Sequence, residues 1–437
     1  MTLVRFWRAW VTAWIFVLVG CDTSALAAKL NLSQLSSPRG IPFILEKSDL
    51  QDAVAIAFAM PCGIVCDGKD TYAAGIMAPE IALRGGTKTL SPAETSETFR
   101  DYAANFSFSS NSDQLYLSVS APSRGIGKAV QLANDVLLNP ALPDSVLKRF
   151  REQMAKQAEE NNLMDWSKSY KGFIAAGVNS PAYMRYFAPD PADLRVVTAR
   201  QLADWLHAHL ATKDIMISVV GNLEPGQAGE LVDRLLAGIP EDASGGSIPT
   251  VAFKAPATVI EIAGDGGAQA EVSFGSISTP PARFEQWVAG RMLSNIFASG
   301  AKSRLFHDVR EKIGATYGLQ VDFNFFESLA MNRVTGRLSV GKLPQALAQM
   351  RASWDLFREQ GPTDLEIIDA RENLLNELNG ITRDHLQGAE MLRDNMTGHW
   401  SVEELAALPQ IIGNADLHDK ALRATLFPPN PILVVVK

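Results

Sequence analysis

Apolar and polar positions along the chain fall into strand-like and helix-like runs, and the order of those runs occurs twice. Residues 40–46 and 53–60 predict two strands joined by a polar turn. The second reads Ala-Val-Ala-Ile-Ala-Phe-Ala-Met, nearly all apolar, and belongs in the centre of a sheet. Residues 71–83 predict a buried helix, ended by Gly85-Gly86-Thr87. Ser91-Pro92-Ala93-Glu94 is a capping box with proline at the first helical position, so a helix starts there. Residues 106–119 alternate as strands do. Ile126, Val130, Ala133 and Leu137 share one face of the next helix, and residues 145–161 predict a long charged one. Thr198 to Gln201 is a second capping box, opening a helix with Leu202, Trp205 and Leu206 inward; a strand at 215–220 and a helix at 224–236 follow.

Residues 241–249, Glu-Asp-Ala-Ser-Gly-Gly-Ser-Ile-Pro, have linker composition. Beyond them the order restarts: a strand at 270–277, a helix at 284–297, strands within 323–339, a helix at 343–357, and a helix capped by Thr363 and Glu366. A capping box at Ser401 to Glu404 and a closing strand at 432–436 complete the chain. The repeat predicts an α+β fold of two tandem homologous domains, each a mostly antiparallel sheet with helices packed on one face. The expected division is a signal peptide at 1–28, a first domain at 29–240, a linker at 241–252 and a second domain at 253–437. A cleft between two such domains is a natural ligand site.

The stretch from Ser303 to Gln320 carries the candidate chemistry. It begins as an amphipathic helix with Leu305, Phe306 and Val309 on one face, and Gly314 suits its C-terminal stop. Arg310 then lies near a helix end, and Tyr317 enters a strand after a tight turn. A guanidinium and a phenol aimed into one space suit the stabilisation of a carbonyl oxygen in peptide-bond chemistry. The alternative is a surface arginine in an ion pair and a tyrosine packed in a core.

Charge and the N-terminal residues narrow the class. The 437 residues have a formal net charge of −8 and no basic run, which argues against a nucleic-acid partner. Arg5 and Arg8 precede an apolar run at 9–19 that is too short for a membrane span. Ala25-Leu26-Ala27 is a small-residue cleavage site, and Leu18-Val19-Gly20-Cys21 resembles a lipoprotein box that would put a lipid anchor on Cys21. Either predicts export, to a bacterial periplasm. Cys62 and Cys66 remain, as a disulfide or as two free thiols.

Taken together, these features resemble the pitrilysin/insulinase type of zinc metallopeptidases, in particular their half-length subunits. The marks are Ser303-Arg304-Leu305-Phe306, Arg310-Glu311-Lys312, Gly314 and Tyr317, Gly361-Pro362-Thr363, and Val219-Val220-Gly221-Asn222 closing the first domain. The resemblance implies an inverted zinc motif, His-x-x-Glu-His, on the helix before Gly86-Thr87, and a further glutamate ligand about 75 residues on. Here Met77 and Ile81 stand where the histidines would be, and only Glu80, the family's general base, is kept. Gln157 falls at the third ligand, with Glu159 close by. Met and Ile do not replace imidazoles for Zn²⁺. His207 and His209 are two apart on a helix, and the other four histidines lack ligand spacing. The chain is thus expected to hold no zinc.

The same resemblance gives Arg310 and Tyr317, seven residues apart, the task of binding and polarising the substrate carbonyl. The expectation is the zinc-free subunit of a periplasmic heterodimeric metallopeptidase. A homologous partner would bring zinc and base, and a peptide substrate would add as a strand to an edge at residues 106–112. The alternatives are a non-catalytic peptide-binding or scaffold subunit, and a peptidase active alone through a metal site not apparent here.

Overall fold

The computed structural model describes residues 30–254 and 259–437, and in it one strand plan is drawn twice. The first half supplies β1 (Leu32–Ser36), β2 (Pro42–Lys47), β3 (Ala53–Pro61), β4 (Asn105–Ser110), β5 (Gln114–Pro122) and β6 (Met216–Gly221). These form a six-stranded sheet in the order β1-β2-β6-β3-β5-β4. The second half supplies β7 (Ile260–Ile262), β8 (Gln269–Ser278), β9 (Leu319–Phe325), β10 (Ala330–Ser339) and β11 (Ile432–Val436), in the order β9-β10-β8-β11-β7. Laid on each other, β4, β5, β3, β6 and β2 correspond to β9, β10, β8, β11 and β7. Even the single parallel pairing of each sheet corresponds: β2 with β6, and β7 with β11. All other pairings are antiparallel, as the sequence predicts. The signal peptide expected at 1–28, with Cys21, lies outside the described residues.

The longer helices are α1 (Tyr72–Gly85), α2 (Pro92–Asp101), α3 (Ile126–Leu138), α4 (Asp144–Leu163), α5 (Asp165–Gly177), α6 (Ala199–His209), α7 (Pro225–Leu235), α8 (Phe284–Ala298), α9 (Leu343–Gln360), α10 (Asp364–Ile381) and α11 (His385–Met396). The capping boxes at Ser91, Thr198, Thr363 and Ser401 form both of their reciprocal hydrogen bonds. Each satisfies two donors at a helix start and fixes where that helix begins.

Helices of each half cover one face of its sheet, as expected; the opposite face is covered by a helix from the other half. From the second half, α11 crosses to β3, β5 and β6, while α5 of the first half crosses to β8 and β11. The pattern of β3 records this. Val54, Ile56, Phe58 and Met60 fill the large core under the first half's helices, whereas Ala55 and Ala57 face Ala389 and Leu392 of α11. Both faces are apolar, and the alternation is one of size, which sets how closely the crossing helix approaches.

Polar bonds fix the exchange. Ser218 Oγ donates to the Ala389 carbonyl at 2.6 Å, Ser118 Oγ donates to Glu390 at 2.7 Å, and His385 Nδ1 donates to the Ala53 carbonyl at 2.8 Å. On the other side Ser169 Oγ meets Ser273 Oγ at 2.8 Å. Gly172 of α5 lets the helix lie close to the sheet: a Cβ there would stand 2.9 Å from Ile262 Cδ1 and 3.0 Å from Val434 Cγ1, so those side chains would have to give way.

Residues 241–251 carry no helix or strand but are tied to both halves. Gly245 N donates to the Ala208 carbonyl at 2.9 Å, and Ser328 Oγ to the Pro249 carbonyl at 2.7 Å. Among the described residues no helix is long and apolar enough to cross a membrane.

Candidate functional site

Between α8 and β9 the chain makes an irregular turn that presents Arg310 and Tyr317. Leu305 and Val309 are buried and anchor it. Over Phe306–Glu311 the backbone takes the wide π form, with Lys312 N reaching the His307 carbonyl at 3.1 Å. The sequence predicts an ordinary amphipathic helix here; the extra residue per turn is the difference, and such bulges recur at functional sites. Gly314, at φ +67°, takes the left-handed conformation that stops the helix. Lys342 Nζ then donates to the Ile313 carbonyl at 2.7 Å and the Gly314 carbonyl at 3.2 Å, satisfying the helix end.

The flanking residues are tied down. Arg304 forks onto both oxygens of Glu366 at 2.7 Å, donates to the Gly361 carbonyl at 2.9 Å, and lies 4.8 Å from the centre of the Phe357 ring. Asp308 accepts from Lys312 Nζ at 2.8 Å and Ser353 Oγ at 2.6 Å. Arg310 and Tyr317 differ from them. Arg310 lies over the Phe306 ring at 4.5 Å and has no carboxylate partner among the described residues. Tyr317 is 86 % exposed, and its hydroxyl has no hydrogen-bond partner among the described residues. It sits in a bend two residues before β9 rather than in the strand, because Thr316 Oγ1 closes a tight turn through Gly318 N at 3.1 Å. Neither the ion-paired arginine nor the core tyrosine is what the fold shows.

Beside this turn lies a groove of about 790 Å³, on the face of β9 and β10 towards α5. Phe306, Gly318, Asp322 and Arg333 line it, with Trp166 from α5 of the first half. Arg333 is held by Asp322 and by Ser273 Oγ at 3.1 Å, and stacks 4.2 Å from the Tyr170 ring centre. Glu271 accepts from Arg337 Nε at 3.3 Å, while burial pushes its carboxyl above the usual range.

The equivalent of a zinc site in α1 is filled by core. Met77 and Ile81 have no exposed surface and belong to the main apolar cluster of the first half. Glu80 is ion-paired with Arg84 one turn on. Gln157 is exposed and donates to Asn161 Oδ1 at 2.9 Å. Glu159 accepts both arms of Arg195, at 2.8 and 2.9 Å, and that hydrogen bonding holds its carboxyl below the usual range. A thioether and an alkyl chain sealed in a core do not fit a zinc ion. Among the described residues no three His, Cys, Asp or Glu are arranged to hold a metal.

The histidines have other engagements. His209 is buried, stacked on Trp205 at 4.0 Å and 3.7 Å from Asp67, and burial pushes the imidazole down and the Asp67 carboxyl up. His385 is part of the helix exchange. The open question at Cys62 and Cys66 resolves as a disulfide, with Cα atoms 5.6 Å apart.

The sequence expectations do not extend to residues 162–197, where the fold places α5 and Trp166. The signal was there: Trp166, Tyr170, Phe173 and Ile174 recur at helical spacing. Residues 106–112 were expected as a sheet edge, and β4 is the outermost strand of its sheet; β9 is its counterpart in the other.

With this geometry in place, comparison with known proteins assigns the chain. Its residues 43–178 match the insulinase peptidase family M16, and residues 197–374 match the peptidase M16 inactive domain. The chain belongs to peptidase family M16, and it lacks the His-x-x-Glu-His zinc motif in α1. The chain is 21 % identical over 178 residues to subunit 1 of the human mitochondrial cytochrome b-c1 complex, covering 41 % of this chain and 37 % of that one. It is 19 % identical over 290 residues to an uncharacterized zinc protease of Rickettsia felis, covering 66 % and 68 %. Its fold is similar to that of a peptidase M16 inactive domain from Pseudomonas fluorescens, with a TM-score of 0.81 at 18 % identity, over 93 % of this chain and 98 % of that one. It is similar also to the periplasmic protease PqqL from Escherichia coli, with a TM-score of 0.80 at 15 % identity, over 93 % of this chain and 45 % of that one. The match thus spans little more than a third of the human subunit and under half of PqqL.

Proposed function

We propose that this chain is the zinc-free subunit of an exported heterodimeric metallopeptidase. A homologous partner supplies zinc, water and general base. This chain supplies Arg310 and Tyr317, which bind and polarise the scissile carbonyl of a peptide. Two exposed donors beside one groove, neither ion-paired nor hydrogen-bonded through its side chain among the described residues, carry the reading. Charge-assisted donation from a guanidinium and a phenol stabilises the oxyanion that forms when water attacks. The outer edge of β4 is the place where an extended substrate adds by backbone pairing. Export rests on the N-terminal pattern and on the periplasmic location in the name of PqqL, with a soluble or Cys21-anchored form equally served.

The similarity to a cytochrome b-c1 subunit favours a second reading, a scaffold or peptide-holding subunit that takes no part in hydrolysis. Mixing this chain with a zinc-motif partner of the same organism and measuring peptide hydrolysis separates the two. Little activity from either alone and clear, chelator-sensitive activity together supports the first. A partner whose turnover is indifferent to this chain supports the second. Stoichiometric zinc and hydrolysis from this chain alone would overturn both.

A further inference from the structure

A second groove, of about 1010 Å³, opens where α1, α2 and α4 meet the start of β4. Arg84 of α1, Arg100 of α2 and Arg149 of α4 line it, and all three are exposed. Phe99 and Phe106 stack with their ring centres 4.9 Å apart and form an apolar wall. Asn105 and Phe106 are the first two residues of β4, so the groove continues the outer edge of that strand.

Arg84 is held by Glu80. The Arg100 and Arg149 guanidinium groups have no ion pair or hydrogen bond among the described residues. An arginine in the last turn complements its own helix dipole, which accounts for Arg84 and Arg100 singly. Arg149 lies in the second turn of α4, where that reason does not apply. No aspartate or glutamate lines the groove. By contrast, Glu271 and Asp322 line the groove beside Arg310, and Asp113, Glu327 and Asp394 line a third cleft between the tips of the β4–β5 and β9–β10 hairpins. In a chain with a net charge of −8, three arginines without a lining carboxylate make a local positive field.

The geometry points to a docking groove for an acidic segment of a peptide, its carboxylates on Arg100 and Arg149 and an apolar side chain against Phe99 and Phe106. A guanidinium binds a carboxylate through two parallel N–H bonds, and Arg100 and Arg149 are both free to do so. A peptide fits better than a small anion. The volume exceeds what one small anion fills, the aromatic wall suits an apolar group, and the β4 edge offers backbone pairing to an extended chain. The inference rests on the proposed function only in naming the chain that pairs with β4 as the bearer of the acidic segment. The groove itself belongs to this chain alone.

Calorimetry of the full chain with the blocked peptide acetyl-Glu-Leu-Glu-Val-Glu-amide is the direct experiment, with acetyl-Gln-Leu-Gln-Val-Gln-amide as the control. Glutamine keeps the shape and removes the charge. The expectation is measurable binding of the acidic peptide, weakened about ten-fold or more by glutamine, and weakened also by raising salt from about 0.05 M to about 0.5 M. Arg100→Gln and Arg149→Gln, both at the surface, should each lower affinity several-fold. Arg84→Gln should lower it less, because Glu80 already holds that guanidinium. Equal affinity for the two peptides would overturn the proposal. So would no binding at about 1 mM peptide, Arg100 and Arg149 variants without effect, or inorganic phosphate displacing the peptide at equal concentration, which would mark a site for a free anion. Binding is read without a partner, so its failure leaves the divided peptidase site standing, and a failed peptidase assay leaves the groove standing.

Discussion

Helix α1 in the first half and the turn at Arg310 in the second are the two places where family M16 chemistry would sit, and this chain treats them oppositely. In α1 the ligand positions are absorbed: Met77 and Ile81 are sealed in a core, and Glu80 is engaged by Arg84. At the turn Arg304 and Asp308 are held by Glu366, Lys312 and Ser353, while Arg310 meets only the Phe306 ring and Tyr317 stays exposed among the described residues. The two regions therefore differ in burial: the α1 positions are part of a core, and Arg310 and Tyr317 are at the surface, as the proposed division of the site requires.

Restoring the absorbed half is the harshest way to break this comparison. Met77→His with Ile81→His places two imidazoles in a sealed core and should cost about 5 kcal/mol, read by urea unfolding. Metal analysis should find no stoichiometric zinc, since Gln157 and Glu159 offer no free third ligand. A stable, zinc-loaded double variant would show that the site is latent rather than lost.

The helix exchange predicts symmetry between the halves. Phe173 of α5 and Leu392 of α11 are both fully buried at the crossing contacts. Phe173→Ala and Leu392→Ala should each cost about 3–4 kcal/mol and should unfold both halves in a single transition. Two separate transitions would mean that the halves are independent.

A smaller effect separates the two interfaces. Glu271 faces α5 and is paired with Arg337, whereas Glu46 faces α11 and its Oε2 has no partner among the described residues. Burial pushes the Glu46 carboxyl up to about 7. A folded value above the unfolded one means that its contribution is complete below the unfolded value and is lost as pH rises through about 7. Glu46→Gln should therefore raise stability by about 2 kcal/mol at about pH 8 and change little near pH 4. Equal effects at both pH values would remove the charge as the cause.

Much of this was legible in the sequence because it is local. Capping boxes at Ser91, Thr198, Thr363 and Ser401 carry their own hydrogen-bond partners three residues away, and the repeat of element order exposed the duplicated plan. What the sequence hid is what depends on the other half. The buried side of α11 is Gly388, Ala389 and Leu392 with His385, which is not an apolar stripe until β3 turns Ala55 and Ala57 towards it. The π turn at Arg310 shifts hydrogen bonds by one residue without altering the composition.

The divided site is tested most directly by Arg310→Ala and Tyr317→Phe, assayed for turnover with a saturating zinc-bearing partner. Both side chains lie outside the core, so thermal stability and association should be unchanged. The account predicts that turnover falls at least about ten-fold in each, on the scale of a lost oxyanion donor. Full turnover in both variants, with the complex intact, would contradict it.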